Sequence, residues 1–228
     1  MKLILTCEHG GNTIPKQYLP YFKNIKTTLQ SHRGFDIGAL DVFNYLKPLS
    51  DYSNSSITSR LLIELNRSLH HKNLFSEYSN TLSPLEKERL IERYYKVYRN
   101  SVEHYISKNI DEGEVILHIS VHSFTPILSE IQRNCDIGFL YDSSRTEESK
   151  LCRQLKSLLH SENPNLKVRF NYPYLGTADG FTTYLRHRFP NNYLGIEIEV
   201  NQKFSTNNQM PGNLKHQIYN TLKAGLLI

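Results

Sequence analysis

Chemistry in this sequence concentrates at four places. His9 stands in Glu8-His9-Gly10-Gly11-Asn12, just after a short apolar run, and His122 closes a β-branched run spanning 114–123. Neutral imidazole is a good zinc ligand, and a catalytic zinc takes three protein ligands and leaves a position open. In Ile196-Glu197-Ile198-Glu199-Val200 two carboxylates fall on one face of an apolar stretch. Burying them is costly unless each is paired or meets a metal. Asn66-Arg67 supplies a planar guanidinium fork that matches a carboxylate. A structural ion pair would use the same arginine equally well.

These groups need a scaffold to bring them together. Val115, Ile116, Ile119 and Val121 are stiff at χ1 and suit a pleated surface, so 114–123 is read as a buried strand and not as a helix carrying a histidine pair. His118, Ser120 and His122 then share one face. His122 comes last, at the carboxyl end, where open α/β sheets build their ligand crevices. His118, mid-strand, reads as a hydrogen-bonded core histidine. Further strands are expected at 2–7, 56–60, 137–141, 166–170 and 192–200. Helices are expected after Asp36 as far as Pro48, from the capping box Ser83-Pro84-Leu85-Glu86 to about Asn109, from about Ser144, over 180–188, and from about Asn213. The second helix carries Ile91, Tyr95, Tyr98, Val102 and Tyr105 as its inner stripe, and the third carries Leu151, Leu155 and Leu158. Alternating strands and helices predict one α/β domain over 1–228, with a mixed or parallel sheet and helices on both faces.

Composition narrows the class. The chain has 228 residues, 39% hydrophobic, with net charge +5 and three cysteines. That content suits a packed core, and no apolar run approaches the ~20 residues of a membrane span. The run Leu3-Ile4-Leu5 is too short for a signal-peptide core. Cys7, Cys135 and Cys152 show no paired spacing, so reduced thiols and a cytoplasmic location are expected. Nucleophile-elbow, phosphate-loop and dinucleotide-binding glycine patterns do not occur. Cys7 reads as a small buried thiol, with a cysteine hydrolase using Cys7 as one alternative. Arg93, Lys96 and Arg99 among tyrosines, or Arg186-His187-Arg188, offer a second: a basic nucleic-acid-binding module without catalysis. The amphipathic-helix reading of the first group is preferred because the tyrosines fit the inner stripe.

The ordered set Glu8-His9-Gly10-Gly11-Asn12, Ser59-Arg60 with Asn66-Arg67, His122-Ser123 and Glu199 resembles the N-formylglutamate amidohydrolase family, itself distantly similar to zinc carboxypeptidases, over about Leu3 to Gln202. The resemblance implies a zinc-carboxypeptidase-like fold (phosphorylase/hydrolase-like) and a Zn2+-dependent amidohydrolase. Its substrate would be an N-acyl amino acid or related small anionic amide. It implies His9 and His122 as metal ligands and Asp36, in Asp36-Ile37-Gly38, as the third, with Glu8 the alternative. Zinc carboxypeptidases place that carboxylate three residues after the first histidine, where this chain has Asn12. Glu199 falls at the general-base position, with Glu197 its competitor. Arg60 would help stabilise the oxyanion, and Asn66, Arg67 and Ser123 would hold the substrate. At two positions where formylglutamate hydrolases usually show aspartate, this chain has Glu64 and Ser120, which leaves room for another N-acyl substrate.

Overall fold

The computed structural model describes residues 1–226. Its strands are β1 (Lys2–Cys7), β2 (Tyr52–Ser55), β3 (Ile116–Phe124), β4 (Ile127–Leu128), β5 (Ile131–Gln132), β6 (Ile137–Leu140), β7 (Val168–Phe170) and β8 (Tyr193–Asn201). Six of them form one sheet in the order β2-β1-β3-β8-β6-β7, and β4 and β5 make a separate exposed hairpin. The first four sheet strands run parallel, whereas β6 runs antiparallel to β8, so the sheet is mixed. The second strand lies at 52–55 and not at the expected 56–60. Its residues Tyr-Ser-Asn-Ser lack apolar alternation because it is a half-covered edge strand. Residues 56–60 instead form a loop that docks on the turn after β1, with one bridge between Thr13 and Thr58.

The alternation of β1, β3 and β8 divides the core in two. Leu3, Leu5 and Cys7, with Leu117, Ile119, Val121, Ile196, Ile198 and Val200, face helices α1 (Ala39–Leu46), α3 (Thr146–Glu162) and α5 (Gly212–Leu226). The opposite face packs Ile4, Ile116 and Tyr193 against the long helix α2 (84–111), helix α4 (Phe181–Arg188) and the buried run 61–65. Each fully buried aliphatic side chain in these layers contributes about 1.5–3 kcal/mol. Helices therefore cover both faces, as the alternating pattern requires.

Helix α2 opens with the expected serine cap: Ser83 Oγ accepts the Glu86 amide at 3.3 Å, worth about 1 kcal/mol. The reciprocal half of the box is not made, since the Glu86 carboxylate takes Arg89 instead. A π-turn at Ile91–Lys96 shifts the register mid-helix, so Tyr95, Tyr98, Val102 and Ile106 point inward while Ile91 and Tyr105 are only half-buried. In α3 the inner row runs Glu148, Cys152, Leu155, Leu159 and leaves Leu158 half-buried, because the helix begins at Thr146 and its face advances every three to four residues.

Three expectations about single residues are settled by this packing. His118 is fully buried between Thr6 Oγ1 at 2.8 Å and the Tyr193 hydroxyl at 2.7 Å, as a core histidine should be. Cys7 lies inside the first apolar cluster and burial pushes its thiol well up, which removes it as a nucleophile. Arg99 is buried with its guanidinium 4.4–4.8 Å from the rings of Tyr95, Phe181 and Tyr184, and Arg186 is buried against Glu148. One arginine of each basic cluster is thus turned inward. No helix among the described residues is long and apolar enough to cross a membrane.

Candidate active site

One face of the sheet changes character along its strands. Near the amino ends it shows Ile4, Ile116 and Tyr193; midway it shows Thr6 and His118. At the carboxyl ends of β3 and β8 the register sets Ser120 beside Glu197 and His122 beside Glu199. Glu8 and His9 follow β1 at the same level. Three neighbouring parallel strands therefore deliver histidines and carboxylates to one place, the crevice side of a parallel sheet.

The Asp36 turn completes the cluster. The Asp36 amide donates to the His9 carbonyl at 3.0 Å, and Ser123 Oγ donates to the Ile37 carbonyl at 2.7 Å. Gly38 has φ +80, a conformation that strains any side chain, and it packs against the Met210 side chain, so glycine is favoured there. The glycines after His9 serve a different close approach. A Cβ on Gly11 would lie 2.7 Å from the Ile57 carbonyl, so they admit the 56–57 backbone and not a ligand.

Asp36 Oδ2 lies 3.3 Å from His9 Nδ1 and 2.8 Å from His122 Nδ1. One potential ligand atom from each of the three residues lies within 4.8 Å of the others. The outer nitrogens of both imidazoles are held from behind. His9 Nε2 bonds Glu64, whose other oxygen takes Arg60 Nε at 2.8 Å. His122 Nε2 lies 2.9 Å from Ser120 Oγ and 3.2 Å from Glu8 Oε2. Glu8 also accepts the hydroxyls of Ser120 at 2.6 Å and Tyr98 at 3.0 Å. Glu8 therefore supports His122 from the far side, and it is Asp36 that converges with the two histidines. Asn12 turns away to the Leu29 carbonyl at 2.9 Å.

Electrostatics follow from these contacts. Burial alone would raise the Asp36 carboxyl, but His9, His122 and Arg60 hold it far below the usual range. Burial likewise opposes charge on His122, yet Asp36 and Glu8 raise its pKa well above the ordinary value. Glu199 is the opposite: burial pushes it up to about 8, opposed by His122 and reinforced by Asp36 and Glu197. Glu199 Oε2 is buried with no hydrogen-bond partner among the described residues. Glu197 Oε1, by contrast, accepts the Thr182 hydroxyl at 2.6 Å.

A cavity of about 330 Å³ opens over the cluster, lined by His9, Asp36, Arg60, Asn66, Arg67, His122, Ser123, Glu197, Glu199 and the segment 173–179. All eight residues singled out from the sequence meet there. Two are more constrained than expected. Arg60 bonds both Glu64 and Asp36, the latter at 3.2 Å, so its first task is to neutralise them. The Ser123 hydroxyl is spent on Ile37 and accepts Gln202 Nε2 at 3.0 Å, so it pins the Asp36 turn. Asn66 Oδ1 caps α4 through the Phe181 amide at 2.7 Å, leaving its NH2 near His122. Arg67 donates to the Asp179 carbonyl and makes no ion pair among the described residues. Its own carbonyl is fixed by Tyr95 at 2.7 Å and by Arg99 at 2.8 Å. Sequence reasoning passed over Glu64 as a holder of His9, Ser120 as a holder of His122, and the wall residues Tyr174 and Asp179. Glu64 sits two residues before Asn66, close enough to the motif to have been suspected; the wall loop carries no such cue.

The family model for N-formylglutamate amidohydrolase matches residues 1–205. The chain belongs to that family. The family resemblance read from the ordered motifs is thereby confirmed, and the chain is placed among amide-bond hydrolases. Every residue of the cavity lies within the matched segment. Two solved structures share the fold. A gene product from Agrobacterium tumefaciens superposes with a TM-score of 0.79 at 24% identity, covering 98% of this chain and 91% of its own. An N-formylglutamate amidohydrolase from Ralstonia eutropha JMP134 superposes with a TM-score of 0.74 at 16% identity, covering 100% and 94%. A search of curated proteins finds no significant match.

Proposed function

We propose that this member of the N-formylglutamate amidohydrolase family is a zinc-dependent hydrolase of N-acyl amino acids. The observation that carries the reading is the convergence of His9, Asp36 and His122 beside a buried, unpartnered Glu199. The donor set fits a divalent cation: two imidazoles and one carboxylate suit zinc, and carboxylates behind imidazoles fix ring orientation as at metal centres. His9, Asp36 and His122 would hold the ion. When bound, zinc supplies a Lewis acid that polarises the scissile carbonyl and acidifies an attacking water.

The chain's own residues supply the rest. Glu199, buried beside His122 with one oxygen unbonded among the described residues, is placed to take the proton of the attacking water and return it to the leaving nitrogen. Arg67, free of acid partners, grips the substrate's α-carboxylate, with the Asn66 NH2 beside it. Arg60 keeps Asp36 and Glu64 ionised and presents its remaining N–H groups to the developing oxyanion. Three buried free thiols accord with a reducing, cytoplasmic setting.

The test is formate release from N-formyl amino acids by zinc-loaded protein, abolished by a chelator and restored by zinc. If neither N-formyl nor N-acetyl amino acids are cleaved by fully loaded protein, the reading fails. Arg67→Ala sharpens it. Its kcat/KM should drop by an amount worth about 2–5 kcal/mol on an accepted acid and far less on the matching carboxamide. Arg67→Lys keeps the charge but not the fork, so it should already weaken use of the acid. An unchanged acid-to-amide ratio in folded Arg67→Ala protein would show that Arg67 does not read the carboxylate.

A further inference from the structure

The charges lining the cavity are unevenly matched. Two guanidiniums, Arg60 and Arg67, face four carboxylates, Asp36, Asp179, Glu197 and Glu199. Arg60 is committed to Asp36 and to Glu64 behind His9. Among the described residues lining the cavity, Arg67 is therefore the one cation left for a ligand. Among the described residues, Glu197 receives only the Thr182 hydroxyl, Asp179 receives the amide and hydroxyl of Ser68 at 3.1 and 3.0 Å, and neither makes an ion pair. Besides the polar Asn66 and Ser123 and the two histidines, the wall is apolar along one stretch, with Pro173, Ala178, and the 44% exposed Tyr174 and 63% exposed Leu175 at the rim. Arg133, whose guanidinium lies 4.9 Å from the Tyr174 ring centre, does not line the cavity.

From this arrangement, and resting on the amide-hydrolase reading above, we infer that the substrate carries one carboxylate only, held by Arg67, and an uncharged apolar side chain laid against Tyr174 and Leu175. A second carboxylate, as in N-formylglutamate, would enter a cavity whose remaining open charges are Asp179 and Glu197. Like charges brought together without a counter-ion oppose binding strongly. An aliphatic or aromatic side chain meets no such opposition and covers the exposed apolar rim. Specificity here is set as much by what repels the dianion as by what attracts the monoanion.

The experiment compares N-formyl-L-glutamate, N-formyl-L-glutamine and N-formyl-L-leucine on zinc-loaded wild-type protein. Glutamate and glutamine have nearly the same shape and differ in charge. Glutamine should exceed glutamate in kcat/KM by at least about 10-fold, a modest return for removing a like-charge contact, and leucine should exceed both. Asp179→Asn, which keeps the shape of the wall, should narrow the glutamine-to-glutamate ratio several-fold, and Leu175→Ser should erode the lead of leucine. Glutamate turned over as well as glutamine overturns the inference. If Arg133→Ala then removed that acceptance, the side-chain carboxylate would belong to Arg133. Glutamine ahead of leucine overturns the role given to the apolar wall. Failure to cleave any of the three, or their N-acetyl counterparts, is a different result, because it removes the hydrolase reading on which the inference stands.

Discussion

His118 and His122 stand on the same face of the same strand, about 13 Å apart along it, and the fold has made them opposites. His118 is bracketed by two neutral hydroxyls, and burial lowers its pKa to about 4. His122 is bracketed by Asp36 and Glu8, which overcome burial and raise its pKa. Both rings are almost wholly inaccessible, so burial does not distinguish them. The partners do. At mid-strand the neighbouring strands contribute Thr6 and Tyr193, which close a neutral network; at the carboxyl ends loops bring in carboxylates and a cavity. A histidine inside a sheet is structural or chemical according to how far along the strand it lies.

The largest effect expected from this contrast is on metal content. Wild-type protein should hold about one zinc per chain, as a three-ligand site implies. The double variant His9→Ala, His122→Ala should hold none after equilibrium dialysis against zinc, whereas folded His118→Gln should keep it. Full zinc occupancy in the double variant, measured by elemental analysis, would break the division between the two histidines.

Next comes the carboxylate pair on the neighbouring strand, where the same contrast recurs. Among the described residues Glu199 Oε2 has no hydrogen-bond partner, whereas Glu197 is bonded to Thr182. Glu199→Gln cannot accept a proton, so kcat should fall by about 100-fold or more while zinc and fold remain. Glu197→Gln should mainly change KM for charged substrates. If the two variants exchange these phenotypes, the base has been misassigned.

The stability of the mid-strand network should show in its pH dependence. The folded-state pKa of His118, about 4, lies below the ordinary 6.5, so on acidification the unfolded chain takes up this proton first. The stability tied to neutral His118 is present above pH 6.5 and is lost as pH falls toward 4. At about 1.4 kcal/mol per unit this amounts to roughly 3 kcal/mol. Urea unfolding of wild type and His118→Gln between those pH values should show a steeper loss in wild type. Parallel curves would mean that the ring is charged in the folded protein.

Much of this was legible because the sheet writes itself into sequence with a two-residue period. The apolar residues of β1, β3 and β8 fix one face, and the polar ones on the other face then collect His118, His122, Glu197 and Glu199 without any further information. The family resemblance supplied Asp36, which no periodicity would have joined to His9. The edge strand at 52–55 was misplaced because a half-covered strand need not alternate. The π-turn in α2 left no pattern, since one inserted residue only displaces the stripe. Glu64 and Ser120 could be noticed as departures, but their partners are tertiary: Ser120 Oγ meets Glu8 Oε2 at 2.6 Å across 112 positions of chain. No spacing rule reaches that far.

The smallest expected effect tests that last contact. The family resemblance implies aspartate where this chain has Ser120, and here the carboxylate behind His122 is that of Glu8. Ser120 Oγ donates its proton to Glu8 and lies 2.9 Å from His122 Nε2, so it braces a carboxylate already present. Removing the brace in Ser120→Ala leaves Glu8 3.2 Å from the ring and still held by Tyr98. Groups in this outer position typically alter metal affinity or activity by 10–100-fold, and with Glu8 retained the loss should sit near the lower end, about 10-fold. Ser120→Asp should do worse than alanine, because a second carboxylate would be buried against Glu8 with one imidazole between them. Pairing it with Glu8→Gln restores one negative charge behind His122, and zinc affinity should recover beyond that of either single variant. The comparison is a double-mutant cycle read by competition with a chelator. Additive losses would mean that residues 8 and 120 act on His122 independently.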